Sequence, residues 1–283
     1  MAPSGGNITE PSLASPCGDI GKTLATARVY LTGRVSLEHG ANLIRERHLP
    51  GRQGRRAFVF LCSERHRPIS RDELLSIVWH DTPPRAVEAA LHAIVSKLRT
   101  VLKKAGFSRG DADIDVTSGS ITLRLPDQMW VDIEAAANAI DEAEGALRRG
   151  DGARAWGLAN VVVSVSRHPF LIDEDALSIN ARRDKLRTLL VRGLQCLSVV
   201  SAANGEPSLA VQYAGEIVDL DPFRETAYQQ LMRAHSQMGN RAEALRGFGR
   251  CRELLREELG ASPSPETEAL FLEILRQERP HGT

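Results

Sequence analysis

The second half of the chain constrains the fold most, because its apolar residues follow a helical spacing almost without interruption. From residue 131 onward, only short breaks rich in glycine, proline and asparagine separate the apolar stretches. The breaks are Gly150-Asp151-Gly152, His168-Pro169, Gly205-Glu206-Pro207, Asp221-Pro222, Gly239-Asn240 and Ser262-Pro263. Helices joined by such short connections pack side by side as antiparallel hairpins. The sequence therefore predicts a series of helical hairpins.

This series contains an internal repeat. Gly205 and Gly239 stand 34 residues apart, and in the same frame Ala210 aligns with Ala244. Thirty-four residues is the period of tetratricopeptide (TPR) repeats, in which each helix pair buries its apolar face against the next pair. We therefore expect residues 131–279 to form an all-α, TPR-like helical repeat domain.

Residues 28–130 begin and end with the alternating pattern of β-strands. Short antiparallel strands are predicted at residues 28–31 and 35–37. A hairpin is predicted at residues 114–125, with Thr117-Ser118-Gly119-Ser120 as its polar tip. These strands frame a segment whose periodicity is helical.

Three helices are predicted in that segment. The first ends near Ser63. The second begins after Ser70, which can cap it, with Glu73 as the capping-box partner. Pro84 is well placed as the first residue of the third helix. The fold class is therefore mostly α: an N-terminal winged helix-turn-helix with small β-sheets, followed by the helical repeats.

The third helix has two contrasting faces. At 100° per residue, Val87, Leu91, Val95, Leu98 and Leu102 form one apolar stripe, which predicts the side that faces the core. Small residues occupy the opposite side, and cations flank them. The small residues are Ala86, Ala89, Ala93, Ser96 and Thr100, and the flanking residues are Arg85, His92, Lys97, Arg99, Lys103 and Lys104. Small side chains between cations allow a helix to enter a groove closely.

The charge of the chain is segregated. Lys and Arg number 36 and Asp and Glu number 36, so the net charge is zero. Between Arg45 and Arg109, however, fourteen basic residues stand against six acidic ones. A basic segment joined to an acidic one favours a polyanion as a partner.

Several classes of protein are disfavoured. The four cysteines, Cys17, Cys62, Cys196 and Cys251, are far apart, and the histidines show no metal-binding spacing, so we expect no metal and no cofactor. Pro16–Thr23 resembles a phosphate-binding loop, but proline replaces its first glycine. No catalytic motif is present, so we expect no enzyme. No signal peptide or membrane-spanning stretch is evident, which predicts a cytoplasmic, nucleoid-associated protein without membrane contact.

Residues 1–27 are rich in proline, serine and glycine and predict a flexible tail.

Short motifs in both halves carry a resemblance to one family. In the first half they are Arg67-Pro-Ile-Ser-Arg-Asp-Glu-Leu-Leu-Ser-Ile-Val-Trp79, Asp81-Thr-Pro-Pro84 and Val95-Ser-Lys-Leu-Arg99. In the second half they are Asp219-Leu-Asp-Pro222, Leu231-Met-Arg-Ala234, Gly239-Asn-Arg-Ala-Glu-Ala-Leu245 and Glu258-Leu-Gly-Ala-Ser-Pro-Ser-Pro-Glu266. Over residues 28–279 the chain resembles the actinobacterial antibiotic regulatory proteins, the SARP family.

This resemblance implies an OmpR-type winged-helix DNA-binding domain at residues 28–130 and a bacterial transcriptional activation domain (BTAD) at residues 131–279. Members of the family activate transcription by binding DNA repeats near promoters and contacting RNA polymerase, so these are the implied partners, together with a possible homodimer. Ile94 stands where the family's recognition helices often carry histidine, and the wing lacks the usual aromatic residue after Gly119.

The candidate DNA-binding residues follow from the third helix and the hairpin. Ser96, Lys97 and Arg99 match the family's recognition helix, and Arg85, His92, Thr100 and Lys103 are their neighbours. Thr117, Ser118, Ser120 and Arg124 would be the contacts of the wing. Arg52, Arg55 and Arg56 precede the first helix and are weaker candidates for phosphate contacts.

Each set has a plainer interpretation. Lysine and arginine often do no more than solvate a surface helix, and Arg52, Arg55 and Arg56 could instead face the acidic second half. The main alternative function is a TPR-type protein-interaction adaptor whose winged helix no longer reads DNA.

Overall fold

A computed structural model describes residues 27–80, 82–117, 119–174 and 176–276 of the chain. The first 26 residues of the predicted tail, with the near match to a phosphate loop, lie outside the described residues. Ala27, the last residue of that predicted tail, is buried.

The first half carries two small sheets. The strands are β1 (Arg28–Tyr30), β2 (Ser36–His39), β3 (Asn42–Arg45), β4 (Ile69–Ser70), β5 (Asp113–Val116), β6 (Ser120–Arg124) and β7 (Trp130–Val131). One sheet has the order β3-β2-β1-β7, with β7 parallel to β1 and the other pairs antiparallel. The second sheet has the order β4-β6-β5 and is antiparallel. The predicted antiparallel strands and hairpin are confirmed, whereas β4 and β7 were not predicted.

The first half also contains three helices: α1 (Gly51–Ser63), α2 (Arg71–Trp79) and α3 (Val87–Lys104). One of the two capping contacts predicted for α2 is present. The Ser70 hydroxyl accepts a hydrogen bond from the backbone N–H of Glu73 at 3.1 Å. The Glu73 carboxylate, however, binds Arg67 instead of closing a capping box.

The prediction that α3 starts at Pro84 is wrong. The helix begins three residues later, at Val87, after an irregular segment. Its predicted core face is confirmed, because Leu91, Val95, Leu98 and Leu102 are all buried.

The second half is helical, as predicted. Its helices are α4 (Asp132–Arg148), α5 (Gly152–Ser166), α6 (Leu177–Ala203), α7 (Pro207–Leu220), α8 (Glu225–Gln237), α9 (Arg241–Leu254) and α10 (Pro265–Arg276), with a π-helical turn at Leu255–Leu259. Gly205 and Gly239 both adopt positive φ, at +77° and +73°, immediately before α7 and α9. The aligned Ala210 and Ala244 are both buried. The predicted 34-residue repeat is thus present in the backbone and in the packing.

The two halves share one hydrophobic core. The cluster that contains Leu37, Phe58 and Leu98 of the first half also contains Phe170 and Ile179 of the second. The helical half is therefore packed directly against the winged helix, without a flexible linker between them. The division into domains at residue 130 stays a prediction, since the packing is continuous across it.

Within the described residues, α6 is the only helix long and apolar enough to cross a membrane. Of its most apolar 18-residue stretch, 56% is buried inside the protein. The apolar character of α6 is accounted for by its central place among α4, α5 and α7.

A buried carboxylate connects the residues that follow β1 to the start of α4. Asp132 is 1% exposed and accepts hydrogen bonds from the backbone N–H groups of Leu31 and Thr32, each at 2.9 Å, and from the Thr32 hydroxyl at 2.8 Å. Its second oxygen accepts the N–H of Ile133 at 2.8 Å. Burial raises the pKa of Asp132, and these hydrogen bonds offset only part of that rise. The carboxylate thus accepts hydrogen bonds from three backbone N–H groups and one hydroxyl group.

Replacing Asp132 with alanine should lower the free energy of unfolding by about 3 kcal/mol, because buried N–H groups then lose their acceptor. Urea denaturation measures this change. Asp127→Ala, at an exposed position, is the matched control and should leave stability within about 0.5 kcal/mol of wild type. Equal stability of the two variants would contradict the role given to Asp132.

Candidate nucleic-acid interface

The outer face of α3 has the composition that the sequence predicts. His92, Ser96, Lys97, Thr100 and Lys103 are exposed along it. Their neighbours Ala89 and Ala93 are exposed as well, so the surface between the longer side chains is shallow. Within the described part of the chain, Lys97 and Lys103 form no ion pair. These lysines can therefore approach a polyanion without first breaking an ion pair.

Arg99 belongs to a different environment from Lys97. Its Nε donates to Asp113 Oδ1 at 3.1 Å, and its Nη2 donates to the carbonyl oxygen of Ile114 at 2.5 Å. Burial would raise the pKa of Asp113, but hydrogen bonds from Arg109 and the Ile114 N–H, with the nearby charge of Arg99, lower it. Arg99 thus joins α3 to β5 and holds the hairpin against the helix.

Two further positions on or beside α3 differ from one another. Arg85 is exposed in the segment before the helix, where it can reach toward a ligand. Ile94 is only 8% exposed and packs in the core. Ile94, where this helix departs from the family pattern, therefore faces the core. An isoleucine at this position takes no side chain away from the exposed surface of α3.

The tip of the hairpin is a compact polar turn. The Thr117 N–H donates to the Ser120 carbonyl at 2.9 Å, and the two hydroxyl groups lie 2.8 Å apart. Gly119 has a φ of +143°, a backbone region that favours glycine. Ser118 lies outside the described residues. Thr117 and Ser120 are therefore brought together at the tip, as predicted.

Arg124 lies away from that tip. It stands opposite Asp113 at the base of the hairpin, four residues along β6 from Ser120. Its guanidinium pairs with Asp115 at 2.5 Å. At about 3.3 Å per residue, the base is roughly 13 Å from the tip, so Arg124 does not join Thr117 in one contact surface.

A groove of about 250 Å³ separates α3 from the hairpin. Arg71, Glu88, His92, Thr117 and Ser120 line it. No sequence signal marks Arg71, because its place beside the hairpin depends on the unpredicted pairing of β4 with β6. The groove brings the predicted residues of α3 and of the hairpin tip onto one side of the molecule.

The three arginines of α1 lie elsewhere and bind a carboxylate of the helical half. Arg52 donates Nε to Glu174 Oε1 and Nη2 to Oε2, each at 2.9 Å. Arg55 donates to Oε1 at 3.1 Å, and Arg56 donates to Oε2 at 2.5 Å. We therefore withdraw Arg52, Arg55 and Arg56 as phosphate contacts. The alternative interpretation, that they face the acidic second half, describes their geometry.

Glu174 is the center of this cluster. Its side chain is fully buried, and burial alone would raise its pKa. Hydrogen bonds from the arginines outweigh burial and lower the pKa of Glu174 to about 2. Arg56 also donates to the carbonyl oxygen of Val78 at 2.9 Å, near the end of α2. The cluster thus connects the helical half to the helix that precedes α3.

No group of three or more His, Cys, Asp or Glu side chains suited to a metal ion occurs among the described residues.

Comparison with known proteins gives one family match and several relatives. The family model described as the bacterial transcriptional activator domain matches residues 131–275. The chain is 24% identical to the transcriptional regulatory protein MoaR1 of Mycobacterium tuberculosis, over 79% of this chain and 72% of that protein. It is 26% identical to the transcriptional regulator RedD of Streptomyces coelicolor, over 96% of this chain and 84% of that protein.

Longer proteins are also similar. The chain is 26% identical to the regulatory protein AfsR of Streptomyces griseus, over 96% of this chain but 27% of that protein. A solved structure of Mycobacterium tuberculosis EmbR, in complex with a low-affinity phosphopeptide, aligns with a TM-score of 0.78 at 23% identity. That alignment covers 89% of this chain and 66% of the EmbR chain, and it shows the same fold.

The Glu174 cluster generates a prediction for stability. Replacing Glu174 with glutamine should lower the free energy of unfolding by about 3 kcal/mol, because three guanidinium groups then crowd a site without its negative charge. Asp173→Asn is the matched control, since this neighbouring carboxylate is 73% exposed and lies 3.9 Å from Arg55. Its loss should cost at most about 1 kcal/mol.

The sign of the pH dependence follows from the lowered pKa. The contribution of Glu174 is present above its ordinary pKa of 4.5 and is lost as the pH falls toward about 2. Urea denaturation of wild type between pH 7 and pH 3 should therefore show a steeper loss of stability than the same series on Glu174→Gln. Parallel curves would show that the carboxylate contributes nothing.

Proposed function

The chain belongs to the SARP family of regulators that carry a bacterial transcriptional activator domain, and we propose that it regulates transcription by binding promoter DNA through α3 and the hairpin tip. In this proposal α3 is the recognition helix and enters the major groove, and the hairpin is the wing. The helical half, residues 131–279, supplies contacts to the transcription machinery.

One observation carries the proposal. The exposed face of α3 presents small side chains between lysines that have no carboxylate partner in the described part of the chain, while its opposite face is buried. Small residues let the helix approach base edges, and free cations neutralise phosphates. A helix that served only as surface would have no need to combine a shallow stripe with unpaired positive charge beside a polar hairpin.

We divide the predicted contact residues by role. We assign direct contact with DNA from α3 and its preceding segment to Arg85, His92, Ser96, Lys97, Thr100 and Lys103. We assign contact from the wing to Thr117, Ser118 and Ser120. Arg99 is assigned to positioning, because its guanidinium is already bound to Asp113 and Ile114. Arg124 is left out, since it stands at the base of the hairpin.

The finer parts of the proposal concern partners. We assign activation over repression, binding to promoter repeats, contact with RNA polymerase through the helical half, and assembly as a homodimer on the repeats. A single winged helix with about five phosphate contacts binds weakly at cellular salt, so two copies on adjacent repeats supply the missing affinity. A cytoplasmic, nucleoid-associated location and the absence of a catalytic role fit the same proposal.

Selection of DNA from a random library with the purified protein tests the proposal. We expect a repeated motif, bound with a logarithmic salt slope of about −4 to −5 for each copy. The proposal would be overturned if no sequence were enriched and DNA bound only weakly, without dependence on its sequence. That result would favour the adaptor function.

Lys97→Ala should weaken binding to the selected sequence by about 1–3 kcal/mol, because it removes a cation from the center of the recognition face. Fluorescence anisotropy with the labelled operator measures this loss. Lys185→Ala is the matched control, since Lys185 is an exposed lysine on α6 of the helical half. Equal affinity of the two variants, both folded by circular dichroism, would show that α3 is not the recognition helix.

A further inference from the structure

A cleft between the first sheet and α5 has no part in the proposed function. Its volume is about 910 Å³, which is within the range of small-molecule sites. Strands β1, β2 and β7 line one side, and α5 with His168 and Pro169 lines the other. The cleft therefore lies where the two halves of the chain meet, a common location for ligand pockets.

The sheet side of the cleft presents two aromatic rings. Along β1 and the residue after it, Val29 and Leu31 point into the core, and Tyr30 points to the opposite face. Trp130 of β7 lies beside Tyr30, with the ring centroids 5.2 Å apart and the planes inclined by 58°. Both residues remain partly exposed. Such rings offer apolar surfaces against which another flat ring can pack.

The helix side of the cleft is a second face of α5. The first face of this helix, which contains Ala159 and Val162, is buried in the core of the helical half. The residues that line the cleft are Asn160, Val161, Ser164 and Val165, with His168 just after the helix. Val161 is 40% exposed. This second face therefore leaves an apolar side chain open opposite the aromatic rings.

Polar groups around the cleft are free to bind a ligand. Among the described residues, the hydroxyl groups of Ser36 and Ser164 and the imidazole of His168 form no hydrogen bond. The side chain of Asn160 donates to the carbonyl oxygen of Trp156 at 2.8 Å, which leaves its own oxygen as an acceptor. A few polar groups around apolar walls are typical of sites that bind and orient small molecules.

The charges of the lining balance. In the part of the lining that the structure describes, Arg34 contributes one positive charge and Glu38 one negative charge. Asp132 is 1% exposed, and its carboxylate already accepts hydrogen bonds from Leu31 and Thr32. A charged ligand would lose water here without gaining a surplus of opposite charge, so the lining favours an uncharged one.

The spacing of the two walls is fixed before a ligand binds. The N–H of Gly33, in the turn between β1 and β2, donates to the carbonyl oxygen of Pro169 at 2.7 Å, just beyond α5. The hydrogen bonds of Asp132 hold the end of β1 against the start of α4. A preformed cleft costs less conformational ordering on binding, so more of the contact energy appears as affinity.

We propose that this cleft binds an uncharged, flat aromatic small molecule whose hydroxyl or carbonyl groups meet Ser36, Ser164 and His168. The rings of the ligand pack against Tyr30 and Trp130. Because the ligand contacts both halves of the chain, it stabilises their docked arrangement. None of these residues belongs to α3 or the wing, so the site is separate from the proposed DNA contacts.

Equilibrium dialysis of the full chain against 6-hydroxyflavone and 6-hydroxyflavanone tests the site. The two compounds carry the same polar groups, but one saturated bond in the flavanone turns its phenyl ring out of the plane. We expect the flavone to bind with a dissociation constant on the order of 100 µM, and the flavanone to bind several-fold more weakly.

Three variants place the bound flavone in the cleft. Val161→Glu should weaken its binding by at least about tenfold, because the new carboxylate loses water against an apolar ligand. Tyr30→Ser should weaken binding several-fold, because it removes one of the two rings. Leu272→Glu is the matched control, since Leu272 is 43% exposed on α10 and lies outside the cleft, and it should bind as wild type does. Circular dichroism verifies that each variant is folded.

Other results would overturn the proposed site. They are failure of the flavone to bind wild type at concentrations up to about 1 mM, equal affinity for flavone and flavanone, or unchanged affinity in Val161→Glu. Equal losses in Val161→Glu and Leu272→Glu would also overturn it, because binding would then not depend on the cleft.

Discussion

The arrangement of this protein depends on one buried carboxylate, that of Glu174, and the three guanidinium groups that surround it. Removing the Glu174 carboxylate from water is costly, and hydrogen bonds from Arg52, Arg55 and Arg56 offset that cost. Because the arginines lie on α1 and Glu174 lies just before α6, the cluster forms only when both halves have folded and docked.

Other contacts fix the segment that carries Glu174. Arg183 of α6 donates to the carbonyl oxygens of Phe170 and Glu174 at 2.9 Å and 2.7 Å, and Gly33 donates to Pro169 at 2.7 Å. The segment between α5 and α6 is thus held by the helical half and by the first sheet together. With the shared core, these contacts set the orientation of the exposed face of α3 relative to the helical repeats. In the proposed function, this fixed orientation sets the angle between the DNA and the transcription machinery.

Local sequence signals predicted the parts of the structure that local interactions determine. The two faces of α3 follow from its own periodicity, the start of α2 from the Ser70 cap, and the repeat from glycines that permit positive φ at equivalent positions. The two-residue strands β4 and β7 form by pairing with strands distant in sequence. Two residues are too few to show an alternating pattern, so the sequence does not predict these strands. The same limit applied to the site: the exposed stripe on α3 was predictable, but the partners of Arg99, which are Asp113 and Ile114, come from the hairpin. Glu174 stands 118 residues or more from the arginines that bind it, and no spacing rule connects them.

The central claim is that DNA contacts α3 and the wing while the far helical repeats remain free for other partners. Amide hydrogen exchange of the full chain, with and without the selected operator, tests it most directly. The account predicts slower exchange at the start of α2, along α3 and in residues 116–120, and unchanged exchange in α7 to α10. Protection confined to the helical repeats, in a complex that still binds the operator, would contradict it.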